Sequence, residues 1–203
     1  MKILLYNLKK GLLICLTLML ICGVVFPLAV TGASNLLFSS KAKGSMVTVD
    51  GKEVGSKVIG QAFTDEKYFV GRVSAVNYNT YKEGDPNYKG VATGGFNQAQ
   101  SNPELMKRIN KDIDEFLKKN PDVKKKDIPA DLITASASGL DPDISVEVAK
   151  IQVPRIAAAT GKTEADIMKI IEKNTKQKVL GVFGEETVNV LGANIDIYKG
   201  LSQ

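Results

Sequence analysis

Gly11–Val30 reads GLLICLTLMLICGVVFPLAV, twenty residues without one charge. Wound as an α-helix at 1.5 Å per residue, such a run is about 30 Å long, the thickness of a bilayer's hydrocarbon core. Lys2, Lys9 and Lys10 precede it, and no charge follows until Lys41. The positive-inside bias assigns the lysine-bearing end to the cytoplasm and everything after the run to the outer side. A cleaved signal peptide carries a shorter apolar region, about 7–15 residues, and a small-residue cleavage site. Here the only small-residue exit is Thr31-Gly32-Ala33, and Cys15 and Cys22 follow Ile14 and Ile21 rather than the small residue that precedes a lipid-attachment cysteine. A retained anchor is therefore expected, with Pro27 kinking or finishing the helix near its outer end. The organisation that follows is a cytoplasmic end at 1–10, a span at 11–30, a linker at 31–45 and an extracytoplasmic domain at 46–203.

Charge and cysteine usage agree with that division. The chain of 203 residues carries a formal charge of +5, and residues 1–37 contribute three lysines and no acid to it. The outer part is thus nearly neutral, with Lys124-Lys125-Lys126 its only basic run, which reads as a solvated turn and argues against a nucleic-acid partner. Both cysteines lie in the apolar run, so the outer domain folds without disulfides and must rely on its core.

That domain reads as α+β (mixed), behind one transmembrane α-helix. Met46–Val54, MVTVDGKEV, alternates apolar residues about Asp50-Gly51, the signal of a hairpin with a type I′ turn. Tyr68-Phe69-Val70 suits a short strand. Val76–Gln100 is a long Asn-, Gly- and Tyr-rich loop, whose Tyr78, Tyr81, Tyr88 and Phe96 either dock on a partner or pin the loop to its own domain. Ser101 and Glu104 form a capping box, with Pro103 in the first turn. The helix they open carries Leu105, Ile109, Ile113, Phe116 and Leu117 on one face. If Leu132–Ser138 is extended, Thr134, Ser136 and Ser138 share a face by the period of two. Ser145–Thr160 reads as a helix interrupted by Pro154 and closed by Gly161. Thr163 with Asp166 caps a further helix with Ile167, Ile170 and Ile171. Val188–Leu191 is a late strand before a final helix.

Catalytic options are few. With no histidine in the chain, Ser-His-Asp chemistry and histidine metal sites are unavailable. Thiol catalysis and zinc thiolates fall with the absence of outer cysteines. Gly94-Gly95-Phe96 and Gly139-Leu140-Asp141 lack the lysine of a phosphate loop, and Asp141-Pro142-Asp143 lacks the glycine and closing glutamate of a calcium loop.

A set of segments resembles the C subunit of the Kdp-type potassium-transporting ATPase. They are Ile59-Gly60-Gln61 with Phe63, Tyr68–Arg72 with Ser74-Ala75, Ser101–Leu105, Leu132–Asp141, Gln152-Val153-Pro154-Arg155 and Val188-Asn189-Val190. The block Thr134-Ala135-Ser136-Ala137-Ser138-Gly139-Leu140-Asp141 is the most specific, and Asn77–Tyr88 departs from the family. The resemblance implies a complex of a potassium-selective A subunit, a P-type ATPase B subunit and a small F subunit. It also implies a non-catalytic role in assembly and as a catalytic chaperone that raises the B subunit's affinity for ATP. No cofactor is expected to bind tightly, and ATP comes through the complex. Gln152 is the residue the resemblance implies for a nucleotide contact, while Thr134, Ser136, Ser138, Asp141 and Arg155 are expected to be partner-facing or structural. The pump's ATP site is cytoplasmic, whereas the charge bias puts this domain outside, so coupling through contacts that differ between pump states is the simpler physical route. The alternative classes are an exported binding protein with a cleaved leader and an anchored hydrolase.

Overall fold

The computed structural model describes residues 1–88 and 90–201. It divides into two units, Met1–Met46 and the remainder from Val47. The first is built on one helix, α1 (Lys2–Leu37), which is 36 residues of strongly apolar sequence and long enough to cross a bilayer. It differs from the expected span in two ways. The stretch 31–37, expected as linker, is helical, and Pro27 neither ends nor interrupts the helix. The reason lies just before the proline, where Ile21–Val25 forms a π-helical turn and the Phe26 N–H reaches back to the Ile21 carbonyl. Proline supplies no N–H, and a wider turn ahead of it lets the chain continue. Thr17 is accommodated in the same apolar helix by returning its hydroxyl to the Leu13 carbonyl at 2.8 Å.

The hairpin β1 (Met46–Val49) and β2 (Lys52–Ser56) begins at the boundary residue and belongs otherwise to the second unit. Its two-residue turn has φ of 50° at Asp50 and 76° at Gly51, as a type I′ turn requires. Helix α2 (Pro103–Lys119) is capped by Asn102, which accepts the Glu104 N–H at 3.0 Å. The cap is thus one residue later than the Ser101 capping box predicts, because an Asn at the position before Pro103 does the same work. Ile113 and Phe116 are buried from this helix, and Leu105, Ile109 and Leu117 are partly covered.

After the short helix α3 (Ala130–Ile133) comes β3 (Asp143–Ser145), then α4 (Val146–Lys150) and α5 (Val153–Thr160). Ser145 caps α4 by accepting the Val148 N–H at 3.1 Å. Pro154 lies in the first turn of α5, and Gly161, at φ 71°, closes it, as expected of that pair. Helix α6 (Glu164–Asn174) begins at Thr163, whose hydroxyl accepts the Asp166 N–H at 3.2 Å and donates to the Asp166 carboxylate at 2.7 Å. Next come β4 (Thr175–Lys176), β5 (Thr187–Asn189) and α7 (Val190–Leu201). The late strand therefore ends at Asn189, and Val190-Leu191 opens the final helix. Apart from the β1-β2 hairpin, β3, β4 and β5 form an antiparallel sheet in the order β3-β5-β4, with Val188 opposite both Ile144 and Thr175. Ile144, Val148, Ile156, Ile167, Ile171, Val188 and Ile197 close a continuous core with Phe69, and burial of each such side chain stabilises the fold by about 1.5–3 kcal/mol.

Candidate functional site

Phe69 is fully buried in a segment that belongs to no helix or strand. Its backbone is satisfied by side-chain amides instead. Asn194 of α7 accepts the Phe69 N–H at 2.8 Å and donates to the Phe69 carbonyl at 3.0 Å. Gln152, at the break between α4 and α5, accepts the Val70 N–H at 2.9 Å and donates to the Val70 carbonyl at 3.3 Å. Two consecutive residues are thus each held at both backbone groups by a different side chain, and buried donors and acceptors are left paired. The strand expected at Tyr68–Val70 is instead irregular chain clasped by amides.

Gln152 is fully buried, and its amide nitrogen also donates to the Val148 carbonyl at 3.2 Å. Its oxygen accepts a second bond, from Arg155 Nη2 at 2.9 Å. Arg155 spreads its remaining donors over the Tyr68 carbonyl at 3.0 Å, the Glu66 carbonyl and the Asn120 side chain. Burial lowers the Arg155 pKa, against the pull of Glu66 and Asp65. Asn120, itself buried, completes the set by donating to the Phe116 carbonyl at 2.9 Å. Gln152 and Arg155 therefore form one network with Asn120 and Asn194 around residues 66–70.

The block Thr134–Asp141 lies elsewhere on the same unit. It is not extended: α3 runs to Ile133 and the rest turns, with the Gly139 N–H on the Ser136 carbonyl at 3.3 Å. The three hydroxyls consequently do not share a face, since Ser136 is buried while Thr134 and Ser138 are exposed. A single helical turn followed by a tight turn removes the period of two on which that expectation rested. The block is instead a template for loops. The Ser136 N–H reaches the Val73 carbonyl at 3.2 Å, the Gly94 N–H and Thr93 hydroxyl both donate to the Ser138 carbonyl at 2.8 Å, and the Gly60 N–H meets the Leu140 carbonyl at 2.8 Å. Arg72 closes the far end by pairing with Asp141 at 3.0 Å and donating to the carbonyls of Asp131 and Thr134 at 3.3 Å.

Tyr78 is pressed into this template. Its hydroxyl donates to the Arg72 carbonyl and occupies the space a Cβ at Gly71 would take, while its ring and the Asp141 carbonyl together close over Gly60. Burial, reinforced by Asp141 and opposed by Arg72, pushes its pKa to about 12. Phe96 lies 5.0 Å beneath the Arg108 guanidinium, while Tyr81 and Tyr88 are exposed. Tyr78 thus pins the loop to its own domain, one of the two expected uses, and Phe96 adds the Arg108 contact while staying as exposed as Tyr81 and Tyr88. Ser136 Oγ is buried without a hydrogen-bond partner, as is Gln61 Oε1. Gln61 borders an apolar groove of about 470 Å³ lined by Phe63, Tyr68, Leu191, Ile195 and Tyr198. Among the described residues, no three His, Cys, Asp or Glu side chains converge as metal ligands do.

Asn194 and Asn120 carry no signal in the sequence, Arg72 enters only within a matching segment and Tyr78 only as a loop aromatic. The partners of Asn194, of Asn120 at Arg155 and of Arg72 at Asp141 are far away in the chain, and no local spacing announces such pairs.

Comparison with known proteins covers both units. The family model for the K+-transporting ATPase c chain matches residues 8–199. A potassium-transporting ATPase KdpC subunit from Clostridioides difficile (strain 630) is 52% identical over 95% of this chain and 97% of its own length. The KdpC subunit from Clostridium kluyveri is 52% identical over 96% of this chain and 94% of its own. That from Caldanaerobacter subterraneus subsp. tengcongensis is 44% identical over 97% of both. With one family model spanning the apolar helix and the clasped domain alike, the chain belongs to the KdpC family of K+-transporting ATPase c chains.

Proposed function

We propose that the chain is a non-catalytic accessory subunit of an ATP-driven potassium uptake pump. It acts in assembly and as a catalytic chaperone for the ATP-hydrolysing P-type subunit. Its partners in this reading are a potassium-selective A subunit, the pump's B subunit, a small F subunit and the lipid around α1. In this reading residues 1–10 lie in the cytoplasm, the membrane span begins at 11 in a helix that continues to Leu37, and the domain from 46 onward folds outside. The observation that carries the reading is the family match over residues 8–199, which takes in anchor and domain together.

The chemistry of the domain supports a role without direct nucleotide contact. The Gln152 amide is spent on Val70 and Val148, so a nucleotide would have to displace bonds that hold the core segment. Arg155 and Asp141 are likewise engaged. The subunit then changes ATP affinity by contacting one pump state better than another, which is sufficient for coupling between distant sites. The test compares complexes purified with and without this chain. Loss of the chain is expected to lower potassium-stimulated ATPase activity and weaken ATP affinity, while the isolated full chain binds ATP no better than an unrelated protein of equal charge. Unchanged activity without the chain, or micromolar ATP binding by the chain alone, contradicts the reading.

A further inference from the structure

Between β4 and β5 the chain makes a small hairpin that carries its apolar side chains outward. Val179 and Phe183 exchange backbone hydrogen bonds at 2.8 and 3.0 Å, and the Val182 N–H closes a turn on the Val179 carbonyl at 3.2 Å. The side chains of this tip are exposed: Val179 59%, Leu180 86%, Val182 74% and Phe183 65%. A contiguous apolar tip held in water by a hydrogen-bonded turn is the mark of a contact surface rather than a core element.

The turn carries a second signal. Both of its central residues have positive φ, 55° at Leu180 and 74° at Gly181. Glycine and asparagine suit that conformation, whereas leucine is strained in it. Leucine contributes nothing to its own fold there, being the most exposed of the four. A strained residue that serves no internal contact points to an external one.

The rim decides what kind of partner. Lys178 pairs with Glu185 at 3.2 Å across the base of the tip, and Lys176 and Glu186 flank it. The rim is balanced in sign, so it does not attract an anionic lipid surface, which favours clustered Lys and Arg. An apolar centre with a mixed-charge rim is the anatomy of a protein–protein contact. We infer that the Val179–Phe183 tip docks into an apolar groove of another protein chain of the same membrane assembly. This inference rests on the subunit reading above.

The natural cysteines, Cys15 and Cys22, are free and lie in α1, so Leu180→Cys is placed in the full chain together with Cys15→Ala and Cys22→Ala, and a photoactivatable maleimide on that single thiol reports the tip's neighbours within the assembled complex. A cross-link to another subunit is expected. A cross-link to lipid alone, to a second copy alone, or to nothing overturns the inference. Leu180→Asn provides the second arm, since asparagine tolerates the left-handed turn and removes the apolar contact. Its melting temperature is expected to stay the same or rise while retention in the complex falls about tenfold. Unchanged retention overturns the inference. Normal co-purification of the unsubstituted chain with an uncross-linked tip sinks this inference and spares the subunit reading; failure of the unsubstituted chain to co-purify sinks both.

Discussion

Asn194 holds Phe69 at both of its backbone groups, with Oδ1 on the N–H at 2.8 Å and Nδ2 on the carbonyl at 3.0 Å. The partners are 125 residues apart and both buried. Asn194→Asp keeps the shape and the acceptor but loses the donor and sets a charge against a carbonyl. It is expected to destabilise the domain by about 2–4 kcal/mol at neutral pH. Part of the loss should return in acid, where the protonated carboxyl donates again. Urea titrations at pH 7 and pH 4, each referred to the parent protein, measure both effects.

Gly139 and Gly161 have nearly the same φ, 68° and 71°, but different surroundings. A Cβ on Gly139 would lie 2.7 Å from the Gly94 carbonyl oxygen and 2.8 Å from Val76 Cγ2, whereas one on Gly161 meets nothing within 4 Å. Gly161→Ala therefore costs only the left-handed conformation, about 1 kcal/mol. Gly139→Ala adds a clash in the loop template and is expected to cost about 3 kcal/mol. Thermal melts of the two variants should rank them in that order.

Ser136 is 3% exposed, and its hydroxyl finds no hydrogen-bond partner. Removing that oxygen loses no bond, so Ser136→Ala is expected to change stability by less than about 0.5 kcal/mol or to raise it. Ser136→Leu overpacks the same site and should cost about 1–3 kcal/mol. Denaturant midpoints of the two variants separate a packing role from a hydrogen-bonding one.

How much of this was legible in the sequence depends on the range of the interaction. The Asp50-Gly51 hairpin, the Thr163 cap and the Gly161 closure are set by residues within a few positions of one another, and each is where local spacing puts it. The apolar helix is legible from length and the absence of charge. Leu132–Ser138, whose hydroxyls would share a face only if it were extended, is a helical turn and a tight turn, because alternating small residues fit several conformations and the contacts that choose among them come from Val73, Gly94 and Arg72. Strands β3 and β4 are too short to carry a period. The site was legible in part: Gln152 and Arg155 stood out, but their work of clasping residues 66–70 depends on pairs some 80 residues apart.

Tyr78 gives the fold a dependence on alkaline pH. Its pKa is raised from 10.0 to about 12, chiefly by burial, so the folded state holds the proton more tightly than the unfolded chain. The stability this represents is complete below pH 10 and is lost as the pH rises from 10 to 12, by about 2 kcal/mol after allowance for solvent. Stability measured at pH 9 and pH 11.5 should fall accordingly. Tyr78→Phe should be less stable at pH 9 and show a shallower decline; an identical slope would remove Tyr78 as the cause.

The most direct test of an anchored subunit working from the outer side is protease access in sealed, right-side-out membrane vesicles that contain the assembled complex. External protease is expected to degrade the domain and leave a membrane-protected fragment bearing Lys2, Lys9 and Lys10. Full-length protection, lost only when the vesicles are opened, would put the domain on the cytoplasmic side with the ATP site and contradict the account.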